Sequence, residues 1–351
     1  MTRIIKSFFS RSHIKSFAVL LAAASLLMSG GCKNAQSDES GTLRVGVALY
    51  SQDDTFIATV VQNLERMAQE REGQEKIKIN LSIADGHSNQ TTQLEQVERF
   101  LERGCDLLCV NIVDRTVAAV IVDKAEEAEV PLIFFNRQPV AEDIQRWDKT
   151  YYVGARAQEG GTLQGELVLG AWQSDESFDR NGDGVMQYLM LEGEQGHQDS
   201  LLRTEYSIKA ITDAGIEVEK LASDTANWNR GQASAKMSQW IDRFGNDIEV
   251  VIAKNDDMAL GAIDAFKEAG LELPLIVGVD ATAPALEAVA SGRLYGTVLN
   301  DAAGIADVML DMLMALTSGA DLSEAVKLED GHYVWLPYRQ VTRDNLDEFI
   351  S

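Results

Sequence analysis

From Gly41 onward the chain alternates short apolar or β-branched runs with amphipathic helical patterns, and this alternation constrains its fold most tightly. The strand candidates are Leu43–Tyr50, Ile77–Ile83, Leu107–Val110, Leu132–Asn136, Tyr151–Val153, Val185–Leu191, Ile216–Leu221, Val250–Ala253, Leu275–Val279 and Gly296–Leu299. Helical patterns fill most of the gaps, at Phe56–Arg71, Gln90–Arg103, Val117–Ala128, Gly160–Trp172, Leu201–Ala214, Gly231–Phe244, Met258–Ala269 and Ala302–Thr317. A run that is apolar at every position suits a strand buried on both faces, as in parallel sheets covered by helices. So many strands exceed one comfortable open sheet. The expected class is therefore α/β, with two doubly wound parallel-sheet lobes, and the 351-residue length agrees.

Open parallel sheets bind ligands beyond the carboxyl ends of their strands. Asp53, Asp54 and Phe56 follow the first strand, Asn111 closes the third, and Asn136 and Arg137 close the fourth. His197, Asp199 and Arg203 come after Val185–Leu191, then Asp224 and Trp228 after the next run. Lys254, Asn255 and Asp256 follow Val250–Ala253, Asp280 follows Val279, and Asn300 and Asp301 follow Leu299. Helix capping favours Asp and Asn at such places and accounts for Asp256 and Asp301. It does not account for Trp228, His197 or Arg203. A binding cleft is expected instead.

The chemistry of that cleft points to a sugar. Carboxylates and amides accept from and donate to adjacent hydroxyls, Arg supplies several fixed donors, and aromatic rings cover weakly polar C–H faces. A phosphate ligand would call for Gly-rich turns at helix starts, and neither a Walker motif nor a strand-following G-x-G-x-x-G occurs. The net charge of −24 sets the chain against phosphate backbones, so no nucleic-acid partner is expected.

Residues 1–31 read as a signal peptide: Arg3, Lys6, Arg11 and Lys15 precede an apolar run from Phe17 to Met28, then Ser29-Gly30-Gly31. Cys32 follows directly, as in a bacterial lipobox, although Ser29 stands where Leu is usual. The expectation is lipidation of Cys32, with 32–41 as a polar tether, and a body anchored outside the cell membrane. Plain signal cleavage would instead leave Cys32 a thiol and the body periplasmic. Cys105 and Cys109 fall in an apolar run, roughly 13 Å apart if both lie on one strand at ~3.3 Å per residue, too far for a disulfide.

The sharpest local motif is Asp179-Arg-Asn181-Gly-Asp183-Gly184-Val185-Met-Gln187. Oxygen side chains stand at loop positions 1, 3, 5 and 9, with Gly at 6 and a backbone carbonyl offered by Val185 at 7, which is the EF-hand plan for Ca²⁺. Position 12, normally a bidentate Glu, is Met190. Either the site is defunct or a remote carboxylate completes it. A structural Ca²⁺ is expected.

Together the segments RVGVALYSQDDTF, VNIVDR, VPLIFFNRQP, YYVGA, the loop running on through LEGEQGHQDSLLRT, DTANW, IEVVIAKNDDMALGA, GVDA and GTVLNDA give the chain a marked likeness. Over nearly all of 43–351 it resembles the bacterial periplasmic glucose/galactose-binding proteins, ABC-transporter solute receptors of the ribose-type superfamily. The resemblance implies a type I periplasmic binding protein fold whose lobes are joined by a three-segment hinge. The first lobe would take 42–131 plus 301–336, and the second 132–300 plus 337–351. It implies a sugar held by Asp54, Asn111, His197, Asp199, Arg203, Asn255, Asp280 and Asn300, sandwiched between Phe56 and Trp228. It implies calcium ligation by Asp179, Asn181, Asp183, the Val185 carbonyl, Gln187 and Glu249, the last supplying the remote carboxylate.

By the same resemblance the protein is a monomer that captures D-galactose or D-glucose by hinge closure, hands it to the membrane subunits of an ABC permease, and serves a chemoreceptor. The competing role within the fold is a sensory receptor for a membrane kinase, without transport. A glycosidase would need one carboxyl of raised pKa beside the bond to be cut, whereas Asn and Arg neighbours would keep Asp54, Asp199 and Asp280 ionised. A DNA-binding repressor of the same core would need an N-terminal helix-turn-helix where the signal peptide stands. No catalysis is expected.

Overall fold

The structure, a computed structural model, describes residues 41–75 and 77–350. The signal peptide, Cys32 and nearly all of the tether lie outside the described residues. In chain order the strands are β1 (Thr42–Leu49), β2 (Lys78–Asp85), β3 (Leu107–Val110), β4 (Leu132–Phe135), β5 (Thr150–Ala155), β6 (Val185–Glu192), β7 (Glu217–Thr225), β8 (Val250–Ala253), β9 (Leu275–Val277), β10 (Gly296–Leu299), β11 (Tyr333–Leu336) and β12 (Arg339–Thr342). The helices are α1 (Thr55–Glu75), α2 (Gln90–Glu102), α3 (Ala118–Glu127), α4 (Ala141–Ile144), α5 (Ala157–Ser174), α6 (Gln198–Asp213), α7 (Arg230–Phe244), α8 (Asp256–Ala269), α9 (Ala283–Ala290), α10 (Ala302–Ser318) and α11 (Leu322–Ala325).

Two six-stranded sheets form, ordered β11-β5-β4-β3-β1-β2 and β12-β10-β9-β8-β6-β7. Both halves therefore repeat one doubly wound order, and the expected fold class is the one observed. Pairing is parallel throughout except where β12 runs antiparallel to β10. The strands β3, β4, β5 and β8 are buried at every residue, as their unbroken apolar runs require. The edge strand β2 alternates exposed and covered positions, β7 is partly exposed along its length, and the two carry Lys78 and Lys220, which discourage edge-to-edge pairing.

Period-two alternation splits each central strand between two helix layers. Leu107, Cys109, Ile133 and Phe135 point into a core shared with α1 and α10, whereas Leu108, Val110, Leu132 and Phe134 point into one shared with α2 and α3. Removing a fully buried ring such as Phe134 would cost about 3–5 kcal/mol. Cys105 precedes β3 instead of lying on it and packs with Phe100, while Cys109 faces the other core. Both are free, buried thiols on opposite sides of the sheet.

The chain passes between the sheets three times: from β5 into α5, from β10 into α10, and from β11 into β12. The first crossing corrects the domain boundary drawn at 131/132. Val-Pro-Leu-Ile-Phe-Phe and Tyr-Tyr-Val-Gly-Ala pair in register beside β3, so β4 and β5 belong to the first lobe. The lobe boundary therefore falls just after Ala155. The short strands β11 and β12 and the eight-residue α9 were not evident in the sequence, being brief and held by pairing with the distant strands β5 and β10 or by packing on α8.

Candidate functional site

In each sheet the strand order reverses between the first and third strand of its half, at β1/β3 and β6/β8. The carboxyl ends at these two switch points face one another across the gap between the lobes. A cavity of about 330 Å³, counting the space open to solvent at its mouth, lies there, lined by Asp54, Phe56, His197, Asp199, Arg203, Trp228, Asn255 and Asp280. Eight of the ten sugar-site residues expected from sequence thus share one cavity. The other two stand buried directly behind it. Asn111 donates to the Phe135 carbonyl and to Asn136 Oδ1, and Asn300 donates to Asp280 Oδ1 at 3.4 Å.

Tyr50, Asn136 and Arg137 also line the cavity and were absent from the expected set. Their signal was positional, since each stands just past the end of β1 or β4. The Arg137 guanidinium stacks 3.5 Å from the Tyr50 ring centroid and reaches across to Glu194 at 2.6 Å. Two further bonds bridge the lobes: Thr55 Oγ1 donates to Asp257 at 2.6 Å, and Gln198 donates to Gln138 at 2.9 Å. The lobes are closed on each other.

Capping and site-building turn out to be the same act at several positions. Asp54 accepts the Ile57 N–H at the start of α1 with one oxygen and the Tyr50 hydroxyl with the other. Asn255 caps α8 through Met258 N–H, leaving its amide hydrogens for the Trp228 carbonyl. His197 caps α6, its Nδ1 accepting the Asp199 N–H at 3.1 Å. The expectation that capping leaves His197 unexplained is corrected by that bond. Burial, with Arg137, Arg203 and Arg115 adding to it, pushes the His197 pKa well below 6.5. The ring is then neutral with its proton on Nε2, a donor.

The expectation that Asp256 is a cap is corrected as well. Asn255 caps α8, while Asp256 is fully buried and accepts from Thr282 N–H at 2.7 Å and Thr297 Oγ1 at 2.6 Å. It braces the loop that carries Asp280. Three cavity residues hold positive φ without being glycine: Asn136 at 61°, Trp228 at 61° and Asp280 at 115°. Such backbone is disfavoured for a bulky side chain and recurs where a ligand fixes orientation.

Arg203 sits at the floor, bonded to the Lys254 carbonyl at 3.1 Å, Asp199 at 3.3 Å and the Tyr338 hydroxyl at 2.8 Å. Burial alone would lower its pKa, but Tyr338, Asp199 and Asp280 outweigh that and raise it. Burial raises the Asp199 and Asp280 carboxyls, with Arg203 pulling the other way. The Asn111 Oδ1 acceptor and the Arg203 Nε donor are buried with no protein hydrogen-bond partner. A buried group left in that state costs about 1–3 kcal/mol, so each is a position that a polar group from outside the protein would satisfy.

The acidic loop before β6 lies away from this cleft, in the second lobe. Gly182 and Gly184, with φ of 73° and 79°, let it coil, and Asp179 accepts both of their N–H groups. Glu249 is buried beneath the loop and accepts from Arg180 N–H at 2.7 Å and Gln187 N–H at 3.0 Å. Among the described residues no group of three or more His, Cys, Asp or Glu side chains is gathered for a metal. Here the Asn181 and Gln187 amides turn their hydrogens onto Asp183, at 2.9 and 3.1 Å. Rotating each amide by half a turn presents oxygen instead.

Two doubly wound lobes closed over a polar, aromatic-walled cavity define a solute-binding receptor. The chain belongs to the periplasmic binding protein family: the family model described as periplasmic binding protein domain matches residues 45–321. This is a family of non-catalytic receptors, and the protein is not an enzyme. It is 36% identical over 340 residues to the D-galactose/methyl-galactoside binding periplasmic protein of Haemophilus influenzae, covering 96% of this chain and 100% of that one. It is 30% identical to a xylitol-binding protein of Mycolicibacterium smegmatis, over 89% of this chain and 80% of that one. Among solved structures, an ABC transporter solute binding protein from Bacillus halodurans with bound myo-inositol superposes with a TM-score of 0.73. That pair is 28% identical, over 89% of this chain and 99% of the other.

Proposed function

We propose that the protein is an extracytoplasmic receptor that captures a hexose of galactose or glucose type between its lobes and delivers it to an ABC permease. The observation that carries this reading is a cavity to which both lobes contribute carboxylates, amides and an aromatic face. Asp54, Phe56 and Asn111 stand on the first lobe, and His197, Asp199, Arg203, Trp228, Asn255 and Asp280 on the second. A ligand touching both sides stabilises the closed form by its differential contacts, and that form is what a permease reads. Asp199 and Arg203, one helical turn apart on α6, suit two adjacent hydroxyls. Phe56 and Trp228 supply apolar surfaces for the two faces of a pyranose.

Around this reading stand three secondary ones. The loop from Asp179 to Gln187 with Glu249 holds a structural Ca²⁺: three carboxylates, two amide oxygens and the Val185 carbonyl are the hard donors that ion takes. The ion would tie β6 and β8 of the second lobe together and takes no part in sugar recognition. Cys32 carries a lipid that keeps the receptor near its permease. A chemoreceptor is a second reader of the closed form, and the protein works as a monomer.

Calorimetric titration of the purified body with a panel of hexoses and pentoses tests the central claim. Tight binding of galactose or glucose is expected. Binding confined to pentoses or polyols would overturn the hexose assignment, and unimpaired sugar uptake after gene disruption would favour the kinase-linked sensory role.

A further inference from the structure

Beside the sugar cavity, and sharing the Arg137 and His197 walls with it, lies a second and larger cavity between the lobes, about 1090 Å³ including its open mouth. Arg115 lines it. Among the described residues this guanidinium makes no hydrogen bond, ion pair or ring contact, and its Nε is buried without a partner. The other ionic side chains of the cavity already have hydrogen-bond partners. Arg137 is bonded to Glu194 at 2.6 Å, and Asp114 is occupied by the N–H and hydroxyl of Thr116 at 2.9 and 2.7 Å. His197 is neutral.

In a chain of net charge −24 a partnerless arginine beside a ligand cleft calls for an anion. The two cavities share the Arg137 and His197 walls, so a substituent on a ligand in the sugar cavity opens onto the space that Arg115 lines. From this geometry we infer that the larger cavity is a subsite for an oxyanion substituent carried by the hexose, a carboxylate or a phosphate, recognised by Arg115. The inference rests on the hexose reading of the smaller cavity.

The test is calorimetric titration of the mature protein and its Arg115→Gln variant, with D-galactose and D-glucose as neutral probes. Their uronates form the carboxylate arm, and their 1-phosphates and 6-phosphates the phosphate arm. The readout is the ratio of anionic to neutral affinity within each protein. A charge-assisted hydrogen bond predicts that for at least one anionic sugar this ratio falls about tenfold or more in Arg115→Gln, with the gap narrowing at high salt. The arm that shows the fall identifies the anion. If neutral hexoses bind and no anionic sugar does, or if the ratio is the same in both proteins, the subsite is refuted and the hexose site stands. If no hexose binds at all, the reading of the smaller cavity fails and this one with it.

Discussion

The six-membered ring of the Trp228 indole occupies the space above Gly193. A β-carbon on Gly193 would lie 2.0 Å from Cη2, 2.1 Å from Cζ2 and 2.4 Å from Cζ3 of that ring. The indole is also held edge-on against His197, with centroids 5.3 Å apart and planes at 78°. Its place in the cavity wall thus depends on the absence of a side chain 35 residues earlier in the sequence.

Gly193→Ala should therefore weaken hexose binding although residue 193 offers no side chain to the sugar. A loss of about two- to tenfold is expected, since an aromatic contact contributes about 0.5–1.5 kcal/mol beyond the area it buries. Trp228→Ala should lose more, with little change in melting temperature, because the ring lies at the cavity edge of the core. Unchanged hexose affinity in both variants, measured by calorimetry, would remove the stacking role from Trp228.

How far the cleft was legible from sequence follows from the same residues. Asp54, Asn111, Asn255 and Asp280 stand immediately after apolar strands, so their convergence follows from the chemistry of open parallel sheets. Gly193 gave no such signal, because its requirement comes from a ring that reaches it only after β6 and β7 have paired. Arg137 and Tyr50 were visible as strand-end residues, yet their stacking is a tertiary fact. The fold was plain wherever strands were long and wholly apolar. It was hidden at β11 and β12, four residues each, and at the first lobe crossing, where β4 and β5 read alike for either sheet.

Closure should depend on the bridge between Arg137 and Glu194. Glu194 is substantially exposed, so the bond contributes no more than about 1 kcal/mol. Glu194→Gln is accordingly expected to weaken hexose affinity by about fivefold at most. The change should appear mainly in the dissociation rate, because the bond forms only when the lobes meet. Stopped-flow fluorescence resolves the two rates; a slower association with unaltered release would contradict this assignment.

Chelation tests the acidic loop. Loss of Ca²⁺ would leave the Asp179 and Asp183 carboxylates close together and Glu249 buried beside them. EDTA should then lower the melting temperature, and added Ca²⁺ should restore it. Glu249→Gln should melt low with or without EDTA, since it removes one of the three charged donors. A melting temperature that EDTA leaves untouched would mean the loop is held by its own hydrogen bonds alone.

Asp256 supplies a pH signature separate from ligand binding. Burial lifts its carboxyl from 3.8 to about 7, against the opposing hydrogen bonds from Thr297 and Thr282. With the folded pKa above the unfolded one, the stability it contributes is fully present below about pH 4. That contribution is lost as pH rises through about 7, at a rate of up to about 1.4 kcal/mol per pH unit within the window. Asp256→Asn keeps a neutral group of the same shape, and the Thr297 hydroxyl can reverse to accept from the new amide. Variant and parent should therefore be similar in stability near pH 4. The variant should gain on the parent steadily up to pH 7 and hold its lead above that. Thermal melts of both proteins at pH 4, 5, 6, 7 and 8 read this out. Parallel curves across that range would show that Asp256 is ionised in the fold throughout, stabilised by Thr282 and Thr297 more strongly than burial opposes it.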